Sequence, residues 1–398
     1  MKYDFISIVD RSGKDAIAVD FFSRMHPGCP KEGFELIPMG VADMNFATAP
    51  TIVESMKKRL EHPFFGYFSP RQELYDGIIR WQKERNGADV TKDDIAFDNG
   101  VLGGVTTALN VYCSKGDNVL VHSPTYIGFS GLLKNNGYNP VLSDLKQDEN
   151  GIYRMDFEDM EEKIVKNKVH AAIFCSPHNP TGRVWEKWEL EKFSELCEKY
   201  SVMVVSDEIW SDIIMPGYKH IPTQLGSEYL KEHTVACYSP TKTFNLAGFQ
   251  EGYRVVYNKA LRDRMDKEAS LSHYNALNIM SMYAHIGACT DTGMEWVDEL
   301  CTVLGTNTSM LADYLNSVDG VSVTKPQGTY LLFVDCTGYC ERTGITLDDI
   351  LQKCYDVGIG LQNGRSFHGP CHVRINTALP TSKIKEVIER FKKYVFTE

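Results

Sequence analysis

The chain has 398 residues, 43% hydrophobic and 24% charged, an ordinary globular mixture with enough apolar mass for two compact cores. Its 42 Lys and Arg stand against 53 Asp and Glu, and the net charge of -11 repels a phosphate backbone, which argues against nucleic-acid binding. Apolar runs such as Val202 to Val205 recur without low-complexity tracts, so disorder is excluded, and no stretch reaches the roughly 20 apolar residues of a membrane span.

Eleven cysteines, an odd number, are scattered from Cys29 to Cys371, and the chain opens MKYDFISIVDR rather than with a basic and apolar leader. A reduced cytoplasmic protein is expected. Cys336 and Cys340 lack the second pair that would complete four ligands, so no metal site is expected.

From about residue 50 to 290, short apolar runs alternate with longer amphipathic stretches, the pattern of parallel strands joined by crossover helices. The runs predict strands at Ile95 to Asp98, Asn118 to His122, Pro140 to Ser143, Ala171 to Cys175, Met203 to Ser206, Thr234 to Tyr238 and Tyr253 to Tyr257. Several are nearly all apolar, as in strands buried on both faces. Helices are predicted over 102–114, 126–136, 156–166 and 187–200. A long amphipathic stretch at 294–317 spaces Trp296, Leu300, Val303, Leu304, Leu311 and Leu315 near a 3.6 period and predicts a linking helix. Beyond it, strand-like Val321 to Val323, Tyr330 to Asp335 and Cys371 to Asn376, with helices at 347–356 and 381–395, suggest a smaller α+β unit with which the first 45 residues pack.

Six places along the chain carry potential chemistry. Asn99-Gly100-Val101-Leu102-Gly103-Gly104 is a strand-to-helix junction whose free N–H groups and helix dipole suit a phosphate, without the GxGxxG spacing of a dinucleotide site. Tyr126 follows a strand, where its ring either stacks on a planar cofactor or joins the core. In Cys175-Ser176-Pro177-His178-Asn179-Pro180-Thr181-Gly182-Arg183, Asn179 offers an amide donor to a phenolate oxygen, although Asn-Pro-Thr-Gly also reads as a turn. Asp207 ends an apolar strand, where ligands of open α/β sheets bind; it either holds a protonated heteroaromatic nitrogen or faces water.

Lys242, in Tyr238-Ser239-Pro240-Thr241-Lys242-Thr243-Phe244-Asn245-Leu246-Ala247-Gly248, sits among hydroxyl and apolar residues rather than in a charged run. Lost hydration would lower its amine pKa, as Schiff-base chemistry requires, whereas an exposed loop lysine would have no such role. Ser239 and Thr241 add hydroxyl donors or cap the next helix. Arg374, a single cation in an apolar strand, suits bidentate capture of a carboxylate or forms an internal ion pair.

Taken together, SPTK-TFNLAG, SDEIW, SPHNPTGRVW, GVLGG and HVRIN resemble the class I/II aminotransferase superfamily, the fold-type-I pyridoxal 5'-phosphate (PLP) enzymes, over nearly the whole chain. IPMGVADMNF at 37–46, FGYFSP at 65–70 and PHNPTGRVW resemble the branch of cystathionine β-lyases and carbon–sulfur lyases within it. The resemblance implies an α/β fold: a large domain over 46–293 with a mainly parallel seven-stranded sheet between helices, and a discontinuous small α+β domain of 1–45 and 294–398.

It also implies roles. Lys242 is the Schiff-base lysine and the base that takes the α-proton, and Asp207 pairs with the pyridine nitrogen. Asn179 bonds the phenolate oxygen, Tyr126 stacks on the ring, Val101, Leu102, Ser239 and Thr241 bind phosphate, and Arg374 holds the substrate carboxylate. Tyr67 matches a tyrosine that reaches the phosphate of the neighbouring subunit, so a homodimer with shared active sites is implied. The implied reaction eliminates a thiol from an L-amino acid to give pyruvate and ammonia; the alternative is transamination with a 2-oxo acid.

Four positions depart from the pattern. Gln250 stands where aminotransferases place a phosphate-binding Arg and lyases a Lys or Gln, Trp210 replaces the Tyr or His that ends the acidic motif, and Gly40 and Asn45 alter the segment the lyases carry as Trp-Val-Ala-Asp-Met-Asp-Phe.

Overall fold

Seven strands build the principal sheet: β1 (Ile95–Asp98), β2 (Asn118–Ser123), β3 (Asn139–Asp144), β4 (Ala171–Cys175), β5 (Met203–Asp207), β6 (Thr234–Tyr238) and β7 (Gly252–Val255). The structure is a computed structural model and describes residues 1–273 and 275–397. The strand order is β1-β7-β6-β5-β4-β2-β3. β7 runs antiparallel to β1 and β6, and the other pairs are parallel.

All seven predicted strands are present, their ends within two residues of expectation. The reason is burial: β4 and β6 are buried along their whole length, so every position is apolar or small enough to pack. Side-chain alternation divides this sheet between two cores. Val119, Val121, Ile173 and Val205 meet Val101, Val105 and Leu109 of the helix Gly100–Tyr112. Leu120, Ala172, Phe174 and Val204 meet Leu190 and Phe193 of the helix Lys187–Lys199. The parallel run brings the carboxyl ends of β2, β4, β5 and β6 to one edge of the sheet, and with them the segments that carry Tyr126, Asn179, Asp207 and Lys242.

The chain divides into two units, one of residues 48–179 and 183–298, the other of residues 1–47, 180–182 and 299–398. In the smaller unit, β8 (Leu331–Asp335), β9 (Gln362–Asn363) and β10 (His372–Asn376) form an antiparallel sheet in the order β8-β10-β9. Leu332, Val334, Val373 and Ile375 on its strands pack with Ile350 and Leu351 of the helix Leu347–Asp356 and with Ile384 and Val387 of the helix Thr381–Arg390.

The amphipathic stretch expected at 294–317 is a helix over Asp291–Leu315. Two elements differ from expectation. Val321 to Val323 makes only an isolated bridge, in which Ser322 and Asp335 exchange N–H···O bonds of 2.9 and 2.8 Å; Gly320, at φ +81°, starts the segment, and Pro326, which has no N–H to donate, follows closely. The closing helix is α-helical only to Arg390 and turns π-helical over Phe391–Val395. No helix among the described residues is long and apolar enough to cross a membrane.

Candidate active site

The helix Gly100–Tyr112 begins directly after β1, and its N-cap residue Asn99 makes no side-chain cap bond to it. The first-turn N–H groups, those of Val101 and Leu102 among them, therefore keep their capacity for an anion, aided by the helix dipole. Gly100 adopts φ +74°, and Gly252 opposite is packed so closely that a Cβ there would come 2.8 Å from the Gly100 carbonyl carbon and 3.0 Å from the Val101 nitrogen. Gln250 reaches the same place: its carbonyl oxygen would lie 3.8 Å from a Cβ on Gly100.

Ser239 joins this cluster from β6. Its hydroxyl donates to the Glu251 carbonyl at 2.6 Å, accepts the Thr241 N–H at 3.1 Å, and lies 2.8 Å from the Thr241 hydroxyl. Ser239 thus shapes the local turn with its hydroxyl but caps no helix, because the next helical turn, Ala247–Phe249, follows Leu246 and carries no side-chain cap. Beneath it, the Glu251 carboxylate pairs with His285, and although burial opposes the imidazolium, that carboxylate holds the His285 pKa up at about 10. This buried pair escaped sequence reading because its members are 34 residues apart.

Asp207 closes β5 and is only 4% exposed. Burial pushes its carboxyl up to about 7, against the opposing pull of the Ile209 N–H, bonded at 3.0 Å, and of the Lys242 charge. A carboxyl so placed stays ionised only with a stronger cationic partner, which a protonated ring nitrogen provides. Lys242 is half-buried, and its Nζ lies 5.8 Å from the centre of the Trp210 ring. The next residue pins the lysine's backbone: the Thr243 hydroxyl donates to Asp212 Oδ2 at 3.0 Å, and Trp81 Nε1 donates to Asp212 Oδ1 at 2.9 Å. Trp210, which the sequence marked only as a departure, is thus a wall of the lysine's surroundings, and Asp212 its anchor.

Asn179 is buried in the loop after β4. Trp185 Nε1 donates to the Cys175 carbonyl at 2.9 Å, the His178 N–H donates to the Arg183 carbonyl at 2.8 Å, and Arg183 forms a buried ion pair with Glu189. The Pro180-Thr181-Gly182 segment belongs to the smaller unit, where the Gly182 carbonyl accepts from the Gln327 and Gly328 N–H groups at 2.8 and 2.9 Å. Gly182 has φ +69°, and a Cβ on it would fall 2.3 Å from Pro326 Cβ, so this turn admits only glycine. Tyr126 is half-buried; its ring covers Gly128, where a Cβ would lie 2.3 Å from Tyr126 Cε1, and meets Phe129 edge-on at 5.4 Å.

The structure brings Asp207 under the charge of Lys242, and gathers Val101, Ser239 and Thr241 with Gly100 and Gln250. Leu102 is 37% exposed and offers its backbone alone. Arg374 lies in β10 of the smaller unit, buried, donating to the Gly40 carbonyl at 3.1 Å and to the Gln362 side chain, with its guanidinium 4.3 Å from the Phe367 ring centre. Both acceptors are neutral. Gly40 is itself held close, since a Cβ there would stand 3.0 Å from the Gly360 carbonyl oxygen. Asn45 accepts from Arg11 at 3.1 Å and donates to the Pro38 carbonyl at 3.2 Å. Tyr67 is fully exposed and does not join the other residues; Phe64 and Phe65 beside it are 70% and 56% exposed.

An anion-ready helix end, a buried acid and a lysine at the carboxyl edge of a mainly parallel sheet define an α/β enzyme equipped for a phosphorylated, cationic ring cofactor. Residues 35–391 match the family model for aminotransferase class I and II, and the chain belongs to that family. It is 32% identical over 366 residues to the cystathionine β-lyase PatB of Bacillus subtilis, spanning 90% of this chain and 92% of PatB. Cystalysin from Treponema denticola, whose crystal structure contains PLP, aligns with a TM-score of 0.90 at 30% identity over 98% of both chains. The PLP-bound C–S lyase from Staphylococcus hominis aligns with a TM-score of 0.89 at 27% identity, over 100% of this chain and 99% of that one.

Proposed function

We propose that this chain is a PLP-dependent carbon–sulfur β-lyase that eliminates a thiol from an L-amino acid of the cystathionine or cysteine type, leaving pyruvate and ammonia. The observation that carries the reading is the placement of Asp207, 4% exposed at the carboxyl end of β5, within reach of the charge of half-buried Lys242 at the same sheet edge. The likeness of nearly the whole chain to PatB, cystalysin and a C–S lyase supports the reaction class.

Bound PLP supplies the electron sink that makes the substrate α-proton acidic. Lys242 takes that proton, and its position against the Trp210 ring limits the water that competes for its amine. Asp207 holds its negative charge against the ring nitrogen. Val101, Leu102, Ser239 and Thr241 grip the phosphate, Asn179 donates to the phenolate oxygen, and Tyr126 stacks on the ring. Arg374 presents its guanidinium fork to the substrate carboxylate. The exposed Phe64, Phe65 and Tyr67 support a homodimer in which Tyr67 completes the partner's phosphate site. Eleven free thiols support a reducing, cytoplasmic setting.

The test is product identity. PLP-loaded protein with L-cystathionine or L-cysteine releases pyruvate and ammonia without any added 2-oxo acid. Glutamate formed only when 2-oxoglutarate is present, with no pyruvate from either sulfur substrate, would replace this reading by transamination.

A further inference from the structure

At the opposite edge of the principal sheet, where β2 and β4 begin, three side chains of different chemistry converge. Cys113 closes the helix Gly100–Tyr112, Asp117 immediately precedes β2, and His170 immediately precedes β4. Their donor atoms, one sulfur, one carboxylate oxygen and one imidazole nitrogen, all lie within 4.8 Å of one another, and each residue is partly exposed. His170 Nε2 stands 3.2 Å from Asp117 Oδ2. We propose that Cys113, Asp117 and His170 form a peripheral binding site for a thiophilic divalent transition ion of the Zn²⁺ class.

The backbone that carries the three donors is held by the sheet. β2 and β4 are parallel neighbours with Val119 opposite Ala171, so the register brings His170 level with Asn118, the residue next to Asp117. The Asp117 carbonyl accepts the Asn139 N–H at 2.9 Å, and the His170 carbonyl accepts the Met203 N–H at 2.9 Å. Asn118 ties the turn before His170 by donating to the Asn167 carbonyl at 2.7 Å. The Ser114 N–H, bonded to Asp117 Oδ2 at 2.7 Å, orients the carboxylate. The cation nearby, Lys115, is engaged elsewhere: its Nζ bonds Asn110 Oδ1 at 3.3 Å and the Tyr138 hydroxyl at 3.2 Å, over the Tyr138 ring.

Bond lengths of about 2.0–2.3 Å in a tetrahedral zinc site put its donors roughly 3.3–3.8 Å apart. The Asp117–His170 edge, 3.2 Å, stands just short of that range, and a rotamer adjustment of partly exposed Cys113 and His170 brings the three donors into it. A sulfur–nitrogen–oxygen set selects Zn²⁺, Co²⁺ and their neighbours over Mg²⁺ and Ca²⁺, which take all-oxygen shells. Three protein ligands leave the fourth position to solvent.

Cobalt(II) titrated into the reduced holoenzyme tests the site. The expected result is one equivalent bound, with thiolate-to-cobalt charge transfer and the visible bands of a tetrahedral ion at wavelengths longer than the cofactor absorbs, all displaced by Zn²⁺. Cys113→Ser abolishes the charge transfer and His170→Gln weakens binding by about tenfold or more, while both keep their lyase or aminotransferase turnover. Cys340 and Cys371, whose sulfurs stand 3.5 Å apart, are the competing thiols, so Cys340→Ser must leave the signal unchanged. Absence of the bands at one equivalent, or bands undiminished in Cys113→Ser, would overturn the site. Should that variant misfold, peptide mass mapping of the wild type decides: Zn²⁺ protects Cys113 from iodoacetamide if the site exists, and equal alkylation with and without Zn²⁺ refutes it.

Discussion

Asp207 is the residue whose surroundings most restrict what binds beside it, because a carboxyl buried at a strand end costs stability once it ionises. In the cofactor-free protein it keeps its proton to about pH 7, whereas an unfolded aspartate releases it near pH 3.9. Between those limits the native state binds more protons than the unfolded state, so stability falls as pH rises through the window. Asp207→Asn removes that slope. Unfolding free energies of the apoprotein from denaturant titrations at about pH 4 and about pH 7 should therefore converge in the variant, by on the order of 1–4 kcal/mol relative to wild type. Asp98, also pushed up to about 7 by burial, is present in both proteins and cancels from the difference. Lys242→Ala should cut pyruvate release by at least about 10³-fold, the scale of a lost general base, with the circular dichroism spectrum retained. A residual rate near wild type would remove Lys242 from its role.

At the scale of elements, the contact between β7 and the start of the helix Gly100–Tyr112 governs the phosphate cluster. Gly252→Ala places a methyl 2.8 Å from the Gly100 carbonyl carbon, so strand or helix end must shift. PLP affinity should fall by about tenfold, close to 1.4 kcal/mol, read from cofactor fluorescence during dilution. An unchanged affinity would detach the helix end from phosphate binding. The strands around this contact were legible in the sequence because burial on both faces forces continuous apolar runs, as in Ala171 to Cys175 and Thr234 to Tyr238. Val321 to Val323, β-prone but with exposed Ser322 between its valines, finds only a bridge to Asp335, since strand pairing depends on a neighbour that a local window does not contain. The π-helical end of the chain was likewise invisible, because it differs from an α-helix in hydrogen-bond register and not in periodic pattern.

For the whole molecule, the proposed homodimer would cover the exposed aromatic segment Phe64, Phe65 and Tyr67. Sedimentation equilibrium of the holoenzyme should give twice 45.0 kDa, and Tyr67→Ala should lower PLP affinity while leaving that mass unchanged. A monomer with full activity would refute the shared site. The sequence by itself determined the cofactor through its resemblance to the class I/II aminotransferases, because a lysine, an acid and an asparagine at the ends of apolar strands, together with a glycine-bearing helix start, each left a second reading open when taken alone and only in combination resembled that family. Only the tertiary structure decided the rest: that Trp210 walls Lys242, that Glu251 and His285 pair beneath Ser239, and that Cys113, Asp117 and His170 share a corner. Those contacts join residues brought together by strand order and packing, and nothing in a local stretch of chain specifies its distant neighbours.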